Sequence, residues 1–283
     1  MVKTFYIINS RGEKKLFSFN KVYNSARRVG ASSSLAEEIA TIIKKEAYPG
    51  IKTLDIFKKV KKLLAKKNHR SALRFSLKEG MRKLGPTGFP FEKYIGEVFK
   101  KLGFRVQINQ HPPGYCVPSH EIDFIARKAK LIYIGECKYR NVAGERIHLK
   151  DALANFARYV DVLNGPYFQS KKYQNLKIKT IMVTNTKFTS RTKEYSFCMD
   201  VELLGWNWPK NRGLERLVEK EGLYPVTILP SLRRSLKDIL VSKRMMLAQD
   251  VLKIDPQKFS KKFKIPVKYL YPLIEEARIL SEK

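Results

Sequence analysis

Two apolar runs with strand-like alternation, residues 120–126 and 131–135, are separated only by the polar stretch 127–130. So short a break between two β-type segments predicts an antiparallel hairpin. This hairpin constrains the fold most, because it fixes which side chains can meet. Asp123 lies in the first run and Glu136 closes the second, thirteen residues later. Paired strands bring Asp123 opposite Glu136 or its neighbour, and the period of two puts Glu136 and Lys138 on one side of the sheet. Two carboxylates then converge with an amine beside them.

The charge balance points to a polyanionic partner. The 283 residues hold 57 Lys and Arg against 26 Asp and Glu, a formal charge of +31, far beyond what solubility requires. Nucleic acid, DNA in particular, is the leading partner; a lysine-rich solvated surface or an anionic membrane face are the alternatives. A hydrophobic content of 43% supports a real core. No apolar stretch approaches the ~20 residues of a membrane span, and Met1-Val2-Lys3-Thr4-Phe5-Tyr6 lacks the core of a signal peptide, so a cytoplasmic protein without membrane contact is expected. Cys116, Cys137 and Cys198 form neither an even framework nor a CxxC pair, and reduced thiols are expected.

Along the chain, a strand over residues 4–9, a turn through Ser10-Arg11-Gly12-Glu13 and a second strand around 16–19 come first. Asn20 is placed to cap a helix over 21–28. Apolar residues at three- and four-residue spacing predict further helices over 34–47 and 53–80. Between Lys58 and Lys83 stand eleven Lys or Arg and one acid, Glu79, a face suited to phosphates. Gly85-Pro86-Thr87-Gly88-Phe89-Pro90 then breaks the helical pattern and sets a domain junction. Three parts result: residues 1–85, a small hairpin with a helical bundle; 86–230; and 231–283, a basic helical appendage.

The central part reads as α-β-β-β-α-β-α-β. Its elements are a helix over 90–102 stopped by Gly103, strands over 104–109, 121–126 and 131–138, a helix over 149–163, a strand over 178–184, a helix over 190–198 and a strand over 201–204. That order predicts an α/β class with a mixed sheet flanked by helices, the β-α-β crossover supplying the parallel pair. After Trp206-Asn207-Trp208-Pro209 the apolar pattern returns at 223–229, and helices are expected near 232–252 and 266–280.

Phosphodiester hydrolysis needs charge neutralised on the phosphate, an activated water and a stabilised leaving oxygen, most of which carboxylate-held Mg²⁺ supplies. One or two protein carboxylates suffice for that ion. Asp123 and Glu136 fit the role, with the backbone carbonyl of Cys137 as a further ligand and Lys138 to orient water or stabilise charge. The plain alternative is a salt bridge at the strand ends. A zinc set of His111, Cys116 and His120 has no familiar spacing. Asn155 and His148 are secondary candidates, the first to face the site and the second to touch phosphate.

This arrangement resembles the PD-(D/E)xK nuclease superfamily, and within it the Mrr-type restriction endonucleases and archaeal Holliday junction resolvases. The residues that carry the resemblance are Gly88-Phe89-Pro90-Phe91-Glu92 opening a helix, Leu102-Gly103-Phe104-Arg105-Val106 after it, His120-Glu121-Ile122-Asp123 and Glu136-Cys137-Lys138-Tyr139. It implies a restriction-endonuclease-like fold over roughly residues 86–205 and metal ligation by Asp123 and Glu136. It further implies a catalytic Lys138, an accessory Glu92 and DNA cleavage dependent on Mg²⁺ (or Mn²⁺) in restriction, defence or repair.

The opening 85 residues resemble the ATP-cone, a nucleotide-sensing regulatory domain. The matching features are the hairpin turn ending at Gly12, Phe17-Ser18-Phe19-Asn20-Lys21-Val22 leading into a helix, and Leu73-Arg74-Phe75. The resemblance implies ATP or dATP as effector, with Arg11 and Lys21 as phosphate contacts. Asn9-Ser10 stand where that family usually carries Lys-Arg. The alternative is a degenerate cone serving oligomerisation or DNA binding. Residues 259–280 loosely resemble a helix-hairpin-helix unit without its glycines. Both related families assemble through such modules, so a homo-oligomer, dimer or tetramer, is expected. The rival reading of the whole chain is a catalytically silent, nucleotide-responsive DNA-binding regulator.

Overall fold

The computed structural model describes residues 5–85 and 87–282. Thr4, where the sequence starts the first strand, and Pro86 in the junction lie outside the described residues. By contacts the chain forms two compact units. The first takes in the chain through Gly80, with Ile228–Ser231 and the segment from Ile254 onward; the second holds Met81–Thr227 and Leu232–Lys253.

The first unit begins with an antiparallel hairpin of β1 (Tyr6–Ile8) and β2 (Lys14–Leu16), Tyr6 opposite Leu16. Asn9 shapes the turn, its side-chain oxygen accepting from the N–H groups of Arg11 at 2.8 Å and Glu13 at 3.1 Å, as an Asx turn does. The next helix, α1 (Phe19–Arg28), starts earlier than the sequence suggests. Ser18, not Asn20, is its cap, accepting from Lys21 N–H at 3.3 Å; the second strand accordingly stops at Leu16. Helix α2 (Ser33–Glu46) is capped by Ser32.

The single helix expected over residues 53–80 is instead three: α3 (Thr53–Lys67), α4 (His69–Phe75) and α5 (Leu77–Arg82). Asn68 causes the first break, since its side chain accepts from Ser71 N–H at 2.9 Å and starts a new helix. A short polar side chain that bonds the backbone competes with the helical ladder. Helix α4 ends at Ser76, whose backbone N–H turns back to Leu73 carbonyl at 2.9 Å while its hydroxyl donates to Ala72 carbonyl at 3.1 Å. Val22, Ala26, Ile39, Ile43, Val60 and Leu64 form the core of this bundle.

In the second unit α6 (Phe89–Lys101) carries Pro90 and Glu92 in its first turn and buries Phe91, Tyr94, Ile95, Val98 and Phe99. Gly103, at φ +87°, ends it, a left-handed position that glycine adopts freely. A five-stranded sheet follows, built from β3 (Arg105–Gln110), β4 (Ile122–Lys128) and β5 (Leu131–Lys138). After the short β6 (Arg146–Ile147), α7 (Leu149–Asn164) and α8 (Pro166–Gln169), β7 (Lys177–Thr184) returns to the sheet. Then come β8 (Lys187–Phe188), α9 (Ser190–Cys198) and β9 (Glu202–Leu204).

The strand order is β3-β4-β5-β7-β9, antiparallel through β5 and parallel from β5 to β9. The expected mixed sheet is therefore present, with α6 on one face and α7 on the other. The hairpin turn is tighter than predicted: Lys128 pairs with Leu131, leaving two residues, with Ala129 at φ +49°.

Beyond the sheet the sequence pattern misses one helix and overstates another. Helix α10 (Leu214–Glu221) has no counterpart in the expected elements, and the helix expected over 232–252 is only α11 (Arg234–Ser242). Arg244 at φ +57° turns the chain into a 3₁₀ segment, Ala248–Lys253. Helix α12 (Pro256–Phe263) starts at Asp255, which accepts from two backbone N–H groups, and ends at Lys264, φ +53°. A 3₁₀ turn leads into α13 (Leu270–Ser281), which packs on α4. Residues 231–283 are thus not one appendage: the part to Lys253 belongs with the sheet unit, and the rest with the first unit. No described helix is long and apolar enough to cross a membrane.

Candidate functional site

The β4–β5 register pairs Phe124 with Gly135, and one step further it sets Asp123 opposite Glu136. Directly opposed residues of an antiparallel pair share a face, here the face that α7 covers. The ring of Phe124 fills the other face where Gly135 has no side chain; a Cβ there would lie 2.1 Å from Phe124 Cζ. Cys137 N–H donates to Asp123 Oδ2 at 2.6 Å, so the strand itself holds the first acid in place. The end of β5 is fixed in turn, as Thr184 hydroxyl donates to Lys138 carbonyl at 2.5 Å and Arg140 N–H to Asn185 Oδ1 at 2.9 Å.

Glu136 is buried, at 6% exposure. One carboxylate oxygen pairs with Lys138 Nζ and the other with the Arg158 guanidinium. Asp123 makes no ion pair among the described residues, and Lys138 only partly offsets its charge. Burial, then the charge of Glu136, pushes its carboxyl up to about 7, partly offset by the Cys137 N–H. Glu92, half-buried in the first turn of α6, is raised by burial and then by the charges of Glu121 and Glu136. The structure therefore brings Glu92, Asp123, Glu136 and Lys138 into one electrostatic cluster. The Cys137 thiol is buried and raised by that burial, leaving only its carbonyl as a candidate ligand.

Carboxylates that raise one another's affinity for protons hold more negative charge than their surroundings stabilise, and a hard divalent cation relieves that. The oxygen donors of Asp123, Glu136 and the Cys137 carbonyl fit such an ion in kind. Among the described residues no three His, Cys, Asp or Glu side chains are grouped to hold a metal. His120 Nε2 lies 2.6 Å from Asp161 Oδ2 on α7, and Cys116 is exposed.

Asp161 is the anchor of the loop before β4. It accepts from Cys116 N–H at 2.7 Å and Val117 N–H at 3.2 Å, and the bond to His120 with these two holds its carboxyl down at about 2. Asn155 does not face the acids: it is buried against the sheet, donating to Thr180 hydroxyl at 3.0 Å. Arg158, three residues on, reaches them instead, and sequence reading missed it. The signal was present, since 155, 158 and 162 share one helical stripe. His148 is exposed at the start of α7 and lines a cleft of about 540 Å³ with Lys150, Thr189 and Arg191.

In the first unit Lys21 lines a cavity of about 230 Å³ with Ser18, Ser25, Thr53 and Phe57. Arg11 is not among its lining residues; it sits on the β1–β2 turn, paired with Glu13.

The family model described as AF1548-like, C-terminal, matches residues 224–281. An uncharacterized protein of Archaeoglobus fulgidus is 32% identical over 164 residues, which cover 58% of this chain and 87% of that protein. The chain belongs to the AF1548-like family. Its fold is similar to the crystal structure titled "Protein of Unknown Function AF1548", at 29% identity and a TM-score of 0.57, over 68% of this chain and 97% of that one. The AF1548-like segment 224–281 starts after α10 and runs through α11 to α13; the carboxylate cluster lies outside it.

Proposed function

We propose that this AF1548-like chain is a Mg²⁺-dependent DNA endonuclease of the PD-(D/E)xK type, its sheet unit a restriction-endonuclease-like domain. The observation that carries the reading is the opposition of Asp123 and Glu136 on adjacent strands, with Lys138 two residues on. Asp123, Glu136 and the Cys137 carbonyl would hold the ion, which supplies charge neutralisation at the scissile phosphate. Lys138 would orient the attacking water or stabilise charge on the phosphate, and Glu92 is an accessory acid of the cluster. The +31 charge supports a DNA partner.

Plasmid cleavage with Mg²⁺ or Mn²⁺ tests this. Wild type nicks the plasmid, while Asp123→Ala and Lys138→Ala lose activity by at least about a hundredfold. Equal nicking by all three would sink the assignment. The pairing of both Glu136 oxygens with basic side chains favours a second reading, the silent DNA-binding regulator. Tight DNA binding with no metal-dependent cleavage would establish that reading.

For the first unit we propose an ATP-cone-like module in which Lys21, one of the residues lining its cavity, meets the phosphates of ATP or dATP, Arg11 contributing from the turn. Thermal shift at millimolar nucleotide, lost in Lys21→Ala, is the expected result. Light scattering is expected to find an oligomer rather than a chain of 32.9 kDa.

A further inference from the structure

Glu136 is the one acid of the cluster that is already neutralised. Lys138 takes one oxygen and Arg158 the other, while neither Asp123 nor Glu92 has an ion-pair partner among the described residues. A divalent cation shared by Asp123 and Glu136 therefore competes with these basic groups for the charge of Glu136 and crowds them at its two oxygens. Lys138 is bound to the same strand and face as Glu136 and stays nearby. Arg158 differs: it reaches in from α7 on a long, flexible arm, and its side chain keeps 30% of its exposure against 7% for Glu136. Once released, its planar fork matches two phosphate oxygens.

We propose that Arg158 is a partner-exchanging cation of this site: without a metal it neutralises Glu136, and on divalent-cation binding it is released to a backbone phosphate of DNA. The inference rests on the reading of Asp123 and Glu136 as metal ligands. It makes metal and DNA binding mutually supportive through one side chain, because the cation frees the group that holds the phosphate. The ion pair also keeps a buried carboxylate from standing uncompensated while the site is empty of metal.

Mn²⁺ titration of the full chain, followed by electron paramagnetic resonance, reads metal binding without turnover. Arg158→Gln is expected to bind Mn²⁺ about fivefold more tightly than wild type, since no ion pair has to open. Arg140→Gln removes an equal charge, one whose partner is Asp151 at 3.6 Å, and is expected to change affinity by less than about twofold. Fluorescence anisotropy with a duplex gives the second readout, with Ca²⁺ replacing Mg²⁺ to hold cleavage off. There Arg158→Gln loses about tenfold in DNA affinity with Ca²⁺ and less than about twofold in EDTA. Arg158→Lys, which keeps the charge without the fork, falls between in both assays and guards against a folding defect in the first variant.

Unchanged Mn²⁺ affinity in Arg158→Gln would overturn the exchange, as would equal tightening in Arg140→Gln or an equal loss of DNA affinity with and without metal. Mn²⁺ binding that Asp123→Asn abolishes and Arg158→Gln leaves alone sinks the exchange but spares the metal site. A wild-type chain that binds no Mn²⁺ removes both.

Discussion

Phe124 lies over Gly135, its cross-strand partner, so closely that a Cβ on the glycine would meet the ring at 2.1 Å. This contact sits one residue pair from Asp123 and Glu136 and locks the register that opposes them. Gly135→Ala is expected to cost about 1–3 kcal/mol, the usual penalty of overpacking a closed core. Urea unfolding measures it, and Phe124→Leu added to Gly135→Ala should restore part of the loss. Wild-type stability in Gly135→Ala would show that the ring yields freely and does not set the register.

The raised carboxyl of Asp123 has a consequence for stability. Its ordinary value is 3.8 and in the folded chain it stands at about 7. Between those values the folded chain holds a proton that the unfolded chain releases, so this group's contribution falls as pH rises through the window and levels off above it. Asp123→Asn removes the effect. Its stability relative to wild type should grow from pH 4 to pH 7 in denaturant titrations, and a difference independent of pH would contradict the buried, repelled carboxylate.

Asp161 works in the opposite sense. Its carboxylate gathers His120 and the amides of Cys116 and Val117, tying the loop before β4 to α7. In Asp161→Asn the exchange protection of those two amides should drop by at least about tenfold, while the strands of the sheet keep theirs. Unchanged protection would mean that the loop is held by something else.

Asn68 separates α3 from α4 by accepting from Ser71 N–H. Asn68→Ala should lower stability by about 1 kcal/mol, the typical worth of such a cap, in urea or thermal unfolding. A stabilised variant would instead indicate that the long helix expected from the sequence is the preferred state.

Some of this was legible in the sequence and some was not, for physical reasons. The hairpin and its acids could be read because the two-residue period and a short turn fix which side chains oppose each other. Periodicity runs unbroken across Asn68, so the apolar pattern predicts one helix where a side-chain hydrogen bond makes two. Arg158 carries a helical-spacing signal, yet its partner lies 22 residues away on a strand, and only tertiary packing decides that it, rather than Asn155, meets the acids. The return of residues beyond 254 to the first unit depends on the burial of Leu273, Ala277 and Leu280, a long-range choice with no local signature.

The basic run of α3 sorts itself into two groups. Lys59, Lys61 and Lys67 are committed to Glu46, Glu79 and Glu38. Lys58, Lys62 and Lys66 recur every four residues, all exposed, and so form one solvent-facing stripe along the helix. If DNA is the partner, these three are available to neutralise phosphates, whereas the paired three must first give up an acid. Replacing Lys58, Lys62 and Lys66 together by Gln should leave the unfolding curve unchanged. The slope of log affinity against log salt for duplex DNA should become shallower by about 0.9 for each phosphate that the variant no longer neutralises. The matching triple variant at Lys59, Lys61 and Lys67 should lower stability and change that slope less. Equal slopes in wild type and the exposed-stripe variant would remove this helix from the DNA-binding surface.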